Sequence, residues 1–223
     1  EQNQAAFENL HFTTKMEEAK TSDFVIEAVI EDLEIKRNVF KNLDRHLPEH
    51  SIIVTNSSTI VSSKIAEVTN RPDKICNMHF FYPPLVMDCI EVVKGEHTSE
   101  DTIEKTMNMA KDMNRTAVLL QKEIPGFIAN RILHAIQNEA ISLYEGGYAD
   151  FKDIDLICKK ALNHPMGPFE LMDFAGIDVV NFVMKQTYSE TGDVSDAPPR
   201  VIQEKIKEGN YGRKTGKGFY VYN

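Results

Sequence analysis

The sequence predicts an α/β fold, a doubly wound parallel sheet, that is followed by an all-helical second half. In the first half, short apolar runs alternate with segments of helical period. Beyond Pro125 the apolar residues recur at helical spacing, and strand-like alternation returns only at 219–222. We therefore place an α/β domain at residues 1–121 and a helical domain at residues 122–223.

The first half contains five runs that resemble strands. Residues 24–30 are almost continuously apolar, as in a central strand of a parallel sheet. Asp32 can cap the helix that follows, and Pro48 comes directly after the end of that helix. Further strands are predicted at 51–55, from 74 to His79, at 89–93 and at 116–120, with helices at 32–47, 62–69 and 99–113. Upstream, residues 11–14 are β-prone and residues 15–20 are good helix formers.

The second half opens with a long amphipathic helix. An apolar side chain recurs at every fourth position from Ile128 to Tyr144, which predicts a helix over 126–145 that ends at Gly146 and Gly147. Further helices are predicted at 153–162, 169–175 and 178–188, a loop at 189–199 and a final strand at 219–222.

Composition excludes several classes of protein. The formal charge is −9 with acids and bases interspersed, which argues against a nucleic-acid partner. The apolar runs are too short for a membrane span or a secretory signal. The three cysteines are odd in number and lack metal-ligand spacing, so we expect reduced thiols and no metal site. These features favour a cytoplasmic protein, or one of an organelle matrix if the source is eukaryotic.

His79 is the first candidate for chemistry, because it ends an apolar run just before two prolines. Ligands bind at the carboxyl ends of strands in open α/β sheets, and imidazole titrates near neutral pH. Glu91 follows twelve residues later in a second strand-like run, so a hairpin-like return could place its carboxylate beside the imidazole. On these two residues alone, a His that binds a backbone carbonyl and a Glu in solvent remain an alternative.

Two further polar positions have similar alternatives. Asn56, Ser57 and Ser58 follow a strand and could form a site, cap the next helix, or do both. Asn130 stands near the start of the long helix, where a solvent-facing side chain would also fit the spacing.

Glycines are informative here chiefly by their absence. Gly209, Gly212, Gly216 and Gly218 follow a helix and precede the last predicted strand, which is the reverse of the context that a dinucleotide fingerprint requires. We interpret them as turns. Gly95 is the only glycine among the first 125 residues, and the chain contains no G-x-G-x-x-G motif.

Six motifs together carry a resemblance over essentially the whole chain. They occur at residues 25–31, 55–58, 78–83, 125–131, 164–168 and 212–220. In this order and spacing the sequence resembles the L-3-hydroxyacyl-CoA dehydrogenase family, in the style of its 3-hydroxybutyryl-CoA dehydrogenases. The resemblance implies a Rossmann-type domain followed by a helical domain that binds substrate and forms a homodimer.

The resemblance also implies an activity and a set of residues. The activity is the NAD-dependent oxidation of an L-3-hydroxyacyl-CoA to a 3-ketoacyl-CoA, or its reverse, as in fatty acid β-oxidation or butanoate metabolism. His79 would be the general base and Glu91 its orienting partner, while Ser58 and Asn130 would bind the substrate oxygen. The cofactor-binding set that the resemblance implies is Ala28, Glu31, Lys36 and Ser58.

The sequence departs from the family at two places. Tyr82 stands where the family usually has Asn, which leaves one cofactor contact open. The unit with the G-x-G-x-x-G motif is missing, and with it the helix N-terminus that would hold the pyrophosphate. A polypeptide that truly starts at Glu1 is therefore expected to bind NAD poorly, although we expect the full-length protein to contain this unit. A related dehydrogenase of a non-CoA hydroxy acid, of the gulonate type, and a catalytically silent dimer module are the alternatives.

Overall fold

The computed structural model describes residues 7–222 and contains two compact units. The first unit ends at Ile128, and the second begins at Ala129. The position of the domain boundary, between residues 121 and 122, stays a prediction.

A five-stranded sheet forms the centre of the first unit. Its strands are β1 (Phe24–Glu27), β2 (Ile52–Thr55), β3 (Ile75–Phe80), β4 (Ile90–Val93) and β5 (Ala117–Leu120), in this spatial order. Every neighbouring pair is parallel except β3 and β4, which are antiparallel. The proline-containing connection between β3 and β4 is short, so the chain returns beside β3 instead of crossing over.

Helices cover both faces of this sheet. They are α1 (Leu33–His46), α2 (Ser62–Ala66) and α3 (Glu100–Asp112). Ile53 packs with Phe40 of α1, whereas its neighbours Ile52 and Val54 pack in the cluster that contains Ile103 of α3. Successive strand residues point to opposite faces, so a continuously apolar strand needs a helical layer on each side. The predicted fold class is confirmed.

The second unit is helical. Its helices are α4 (Ala129–Glu145), α5 (Phe151–Ala161), α6 (Pro168–Ala175), α7 (Ile177–Thr191) and α8 (Arg200–Lys207). Phe169, Met172 and Ile177 lie at the centre of its core and are fully buried. Within the described range, no helix is long and apolar enough to cross a membrane.

The end of the chain differs from the prediction. The strand predicted at 219–222 is wrong, since this segment forms only isolated bridges. The amides of Phe219 and Tyr220 instead donate to the buried carboxylate of Asp173, at 2.9 and 2.8 Å. A carboxylate from a distant helix thus replaces a neighbouring strand, and local alternation of side chains cannot reveal such a partner.

Three other elements also differ. Residues 11–14 form no strand, and a short 3₁₀ helix, Met16–Thr21, follows them. The long helix begins at Ala129 and not at 126, because Gly126 and Phe127 have positive φ angles of 76° and 48°. The helix expected before Gly209 had no predicted bounds, and the structure shows it as α8, Arg200–Lys207.

The contribution of the first-unit core can be measured at Phe40, whose side chain is fully buried. We expect Phe40→Ala to lower the free energy of unfolding by about 3–5 kcal/mol, because it removes apolar burial and leaves a cavity. Phe12 is 88% exposed and gives the matched control. Phe12→Ala should stay within about 0.5 kcal/mol of the unmodified chain in urea titrations. Equal losses for the two variants would contradict the assigned core.

Candidate functional site

His79 and Glu91 face each other across the antiparallel pair of β3 and β4. They are direct partners in the register of these strands. Nδ1 of His79 lies 2.9 Å from Oε2 of Glu91, and the two side chains are only 5% and 4% exposed. The imidazole therefore binds a carboxylate and not a backbone carbonyl, and this carboxylate is not in solvent.

Further contacts hold both His79 and Glu91 in place. The amide of Ile128 donates to Oε1 of Glu91 at 3.0 Å, so each oxygen of this carboxylate has a donor. The rings of Phe81 and Phe127 lie against the imidazole, with centroid distances of 4.8 and 5.5 Å. Phe127 has a positive φ of 48° at the turn before α4, and its side chain is fully buried. The two aromatic rings and a carboxylate that is hydrogen-bonded at both of its oxygens fix the orientation of the imidazole.

The tautomer of His79 follows from this contact. A carboxylate only accepts hydrogen bonds, so Nδ1 carries the proton, and Nε2 of the neutral ring keeps its lone pair. Nε2 has no hydrogen bond to any residue between 7 and 222. The arrangement can therefore accept a proton at Nε2 and stabilise the resulting imidazolium through Glu91.

The connection between β2 and α2 runs beside this pair and is itself firmly held. Oδ1 of Asn56 accepts from the amide of Phe80, directly after His79, at 2.9 Å. Asn77 of β3 accepts from the amide of Ser62 at 2.8 Å and donates to the carbonyl of Ile60 at 3.0 Å. Both asparagines thus tie this connection to the strand that carries His79.

Ser58 is the exception within the connection. Its neighbour Ser57 is buried and donates to Glu31, and Thr59 binds the same carboxylate. The Ser58 hydroxyl, in contrast, is half-buried and has no hydrogen-bond partner in the part of the chain that the structure describes. An unpaired hydroxyl within a rigid loop is suited to bind an external oxygen. The capping alternative does not hold for Ser58, since Val61 occupies the N-cap position of α2.

Lys36 of α1 has a buried side chain, and its ammonium lies beside Glu27, the last residue of β1. Its side chain is 1% exposed, and Nζ lies 2.9 Å from Oε1 of Glu27 and 3.2 Å from the carbonyl oxygen of Val29. Oε2 of Glu31 is also close, at 3.5 Å. The ammonium therefore pairs with the buried carboxylate of Glu27 and lies close to the partly exposed carboxylate of Glu31.

Glu31 reaches from the end of β1 to the connection after β2. Its Oε1 accepts from Ser57 Oγ at 2.5 Å, and from the hydroxyl and amide of Thr59 at 2.8 and 3.0 Å. Burial by itself would raise the pKa of Glu31. The hydrogen bonds from Ser57 and Thr59 and the attraction of Lys36 outweigh this effect, so the pKa of the carboxyl is lowered.

The remaining predicted site residues lie in different surroundings. Ala28 is exposed at the end of β1. Tyr82 follows Phe81 and is 90% exposed, and its bond to Pro83 is cis. Asn130 lies in the first turn of α4, in the second unit, and is half-buried. No group of His, Cys, Asp and Glu residues among those described could hold a metal ion.

Sequence reasoning did not identify the buried ion pair of Glu27 or the contacts that Ser57 and Thr59 make with Glu31. Glu27 had a usable signal, because a carboxylate within an otherwise apolar strand needs a buried partner. Ser57 and Thr59 had no such signal, since their roles depend on contact with Glu31, which is more than twenty residues away.

The family models that match this chain divide it into two parts, close to the boundary between the two compact units. Residues 1–124 match the family model described as "3-hydroxyacyl-CoA dehydrogenase, NAD binding domain", and residues 126–222 match the model of the C-terminal domain. A 3-hydroxybutyryl-CoA dehydrogenase of Clostridioides difficile is 41% identical over 211 residues, covering 95% of this chain and 75% of that protein. The mitochondrial hydroxyacyl-coenzyme A dehydrogenase of Homo sapiens is 38% identical, covering 91% of this chain and 64% of its own length.

Solved structures agree with these matches. The (S)-3-hydroxybutyryl-CoA dehydrogenase PaaH1 from Ralstonia eutropha superposes with a TM-score of 0.88 at 37% identity, covering 95% of this chain and 74% of that one. The fold and the matched NAD-binding domain define an oxidoreductase of the NAD-dependent dehydrogenase class. Within this class, the chain belongs to the 3-hydroxyacyl-CoA dehydrogenase family. The predicted family and cofactor are confirmed, and the gulonate-type and silent-module alternatives are not favoured.

The assigned tautomer can be tested without any activity measurement. We expect nitrogen-15 spectra to show that the neutral form of the His79 ring is protonated at Nδ1, because Glu91 accepts a hydrogen bond from this nitrogen. Glu91→Ala should abolish this preference. His97 is exposed and serves as a reference signal that Glu91→Ala leaves unchanged. A His79 ring protonated at Nε2 in the unmodified protein would contradict the geometry.

Proposed function

We propose that the protein carrying this chain oxidises L-3-hydroxyacyl-CoA to 3-ketoacyl-CoA with NAD, or performs the reverse reduction, by means of His79 and Glu91. One observation carries this assignment: a buried imidazole bound to a carboxylate through Nδ1 leaves Nε2 free. The names of the relatives support the substrate class. Such a reaction belongs to fatty acid β-oxidation or to butanoate metabolism.

In this mechanism the imidazole of His79 is the group that accepts the proton of the substrate. Nε2 of His79 removes the proton from the 3-hydroxyl as the carbonyl forms, and the ring becomes an imidazolium. Glu91 keeps the ring in the productive tautomer and stabilises its positive charge at a distance of 2.9 Å. The Ile128 amide holds the second oxygen of Glu91, so the carboxylate does not need to rotate as the charge develops.

Ser58 and Asn130 bind the substrate oxygen in this proposal. The unpaired hydroxyl of Ser58 supports its part, because it offers both a donor and an acceptor. Asn130 is assigned this role because it lies in the motif at 125–131, which matches the family. Two groups on one oxygen would fix the direction of the C3–H bond, and such alignment is a large part of catalysis in hydride transfer.

The residues at the end of β1 fit the nicotinamide side of the cofactor. NAD, when bound, supplies the hydride acceptor. The exposed Ala28 leaves room for a ring to approach the backbone, while Glu31 and Ser58 offer polar atoms at the same edge of the sheet. The Lys36 ammonium is buried beside Glu27 and Glu31, so we propose that it holds these two carboxylates in place.

The base assignment predicts the behaviour of one variant in the full-length protein. His79→Gln should lower kcat on the order of a hundredfold or more, because Gln cannot accept the proton. Folding and NADH binding should stay near those of the unmodified protein. Initial rates with acetoacetyl-CoA and NADH, followed by absorbance, provide the measurement.

His97→Gln is the matched control, since His97 is exposed and outside the proposed site. This variant should retain full turnover. An unchanged kcat in His79→Gln would reject His79 as the base, and an inactive unmodified protein would favour the catalytically silent alternative.

We also propose that residues 1–121 form the NAD-binding domain and that residues 122–223 bind substrate and form a homodimer. Large exposed apolar side chains of the helical unit support an interface there, among them Ile132, Phe174 and Phe182, which are 57–62% exposed. Sedimentation equilibrium of the chain should give twice its mass of 25.3 kDa. A monomer at micromolar concentration would contradict this part of the proposal.

The proposed compartment is the cytoplasm, or the matrix of an organelle in a eukaryotic source. The three free cysteines among the described residues support a reducing environment. Recovery of the protein outside the cell after fractionation would contradict this assignment.

A further inference from the structure

We propose that Glu31 is a positioning residue for the dehydrogenase reaction proposed above, on which this inference rests: its carboxylate fixes the connection between β2 and α2 so that the hydroxyl of Ser58 stays free for the substrate oxygen. Glu31 is not itself required to touch the substrate in this role. The inference depends on hydrogen bonds within the first unit.

Glu31 links two separate connections at the same edge of the sheet. It follows β1, whereas Ser57, Thr59 and Ile60 follow β2, and the carboxyl ends of these parallel strands adjoin. Oε1 of Glu31 accepts from side chains of Ser57 and Thr59, and also from the amides of Thr59 and Ile60, at 3.0 and 3.4 Å. A single carboxylate oxygen thus holds the residues on both sides of Ser58.

The consequence for Ser58 is geometric. When the residues before and after it are fixed, its own backbone and the direction of its Cα–Cβ bond are fixed as well. Ser57 uses its hydroxyl on Glu31 and its Oγ also accepts from the Ile60 amide at 2.8 Å. Of the two serines, Ser58 is therefore the one whose hydroxyl has no hydrogen-bond partner among the described residues.

A buried layer behind Glu31 keeps its carboxylate in place. Lys36 lies 3.5 Å from Oε2 of Glu31 and 2.9 Å from Glu27. Glu27 also accepts from Thr55 Oγ1, at the end of β2, at 2.7 Å and from the amide of Val29 at 2.6 Å. The lysine thus holds both carboxylates from the buried side, and its charge favours the ionised form of Glu31.

The test compares Glu31→Ala with Glu34→Ala in the full-length protein. Glu34 is 76% exposed on α1 and pairs only with Arg37 in the described structure, so it is a matched loss of one carboxylate. Glu31→Ala should lower kcat by on the order of tenfold, because a displaced Ser58 no longer aligns the substrate. Glu34→Ala should leave kcat unchanged, and Glu31→Gln, which keeps one acceptor oxygen, should restore part of the loss.

A double-mutant cycle separates positioning from an independent contribution. In a Ser58→Ala background, Glu31→Ala should cause little further loss of kcat, because the group that it positions is already absent. Equal losses in both backgrounds would overturn the inference. A higher KM for NADH with an unchanged kcat would also overturn it, since Glu31 would then contribute only its proposed cofactor contact and not the position of Ser58.

Hydrogen–deuterium exchange provides a readout that needs no activity. The amide of Thr59 should exchange faster in Glu31→Ala than in Glu34→Ala, because it donates to Glu31 at 3.0 Å. Unchanged exchange would overturn the inference even if kcat fell. An unmodified protein without dehydrogenase activity would instead count against the proposed function, and the exchange result would still decide whether Glu31 holds the connection.

Discussion

The reversal of chain direction between β3 and β4 is the constraint on which the rest of the site depends. In a fully parallel sheet the next strand would begin at the opposite edge, and Glu91, the second residue of β4, would not lie opposite His79. The short antiparallel return instead makes His79 and Glu91 direct partners in the register. Because side chains alternate between the two faces of a strand, a slip of one residue would turn one of the two away.

Around this pair, polar groups are buried only where partners exist for them. Glu91 receives both an imidazole and a backbone amide, and Lys36 lies among two carboxylates and a carbonyl oxygen. Burying a charge is costly, and removal of one partner from a buried pair typically destabilises a protein by about 3–5 kcal/mol. Such an arrangement therefore gives little net stability but strongly restricts geometry, which is what a site for proton and hydride transfer requires.

The two units obtain their order by different means. In the first unit, continuously apolar strands are covered by helices on both faces, so hydrophobic burial fixes the sheet. In the second unit, the buried carboxylate of Asp173 binds the amides of Phe219 and Tyr220 and so anchors the end of the chain to α6. Gly218 is needed at this contact, because a Cβ there would lie 2.0 Å from Oδ1 of Asp173.

The sequence by itself determined the fold class, the order of the main elements and the resemblance to the family. Apolar periodicity and a capping residue such as Asp32 depend on near neighbours in the chain, so they can be recognised without a structure. The pairing of His79 with Glu91 was suggested by two strand-like runs and a proline turn, but the residues alone left a solvent-exposed Glu open. Only the tertiary structure decided this pairing, the burial of Lys36, the contacts of Glu31 with Ser57 and Thr59, and the absence of a strand at 219–222. Each of these depends on groups that are distant in the chain, and the physical reason is the same: a buried polar atom takes whichever partner the folded chain brings within hydrogen-bond distance.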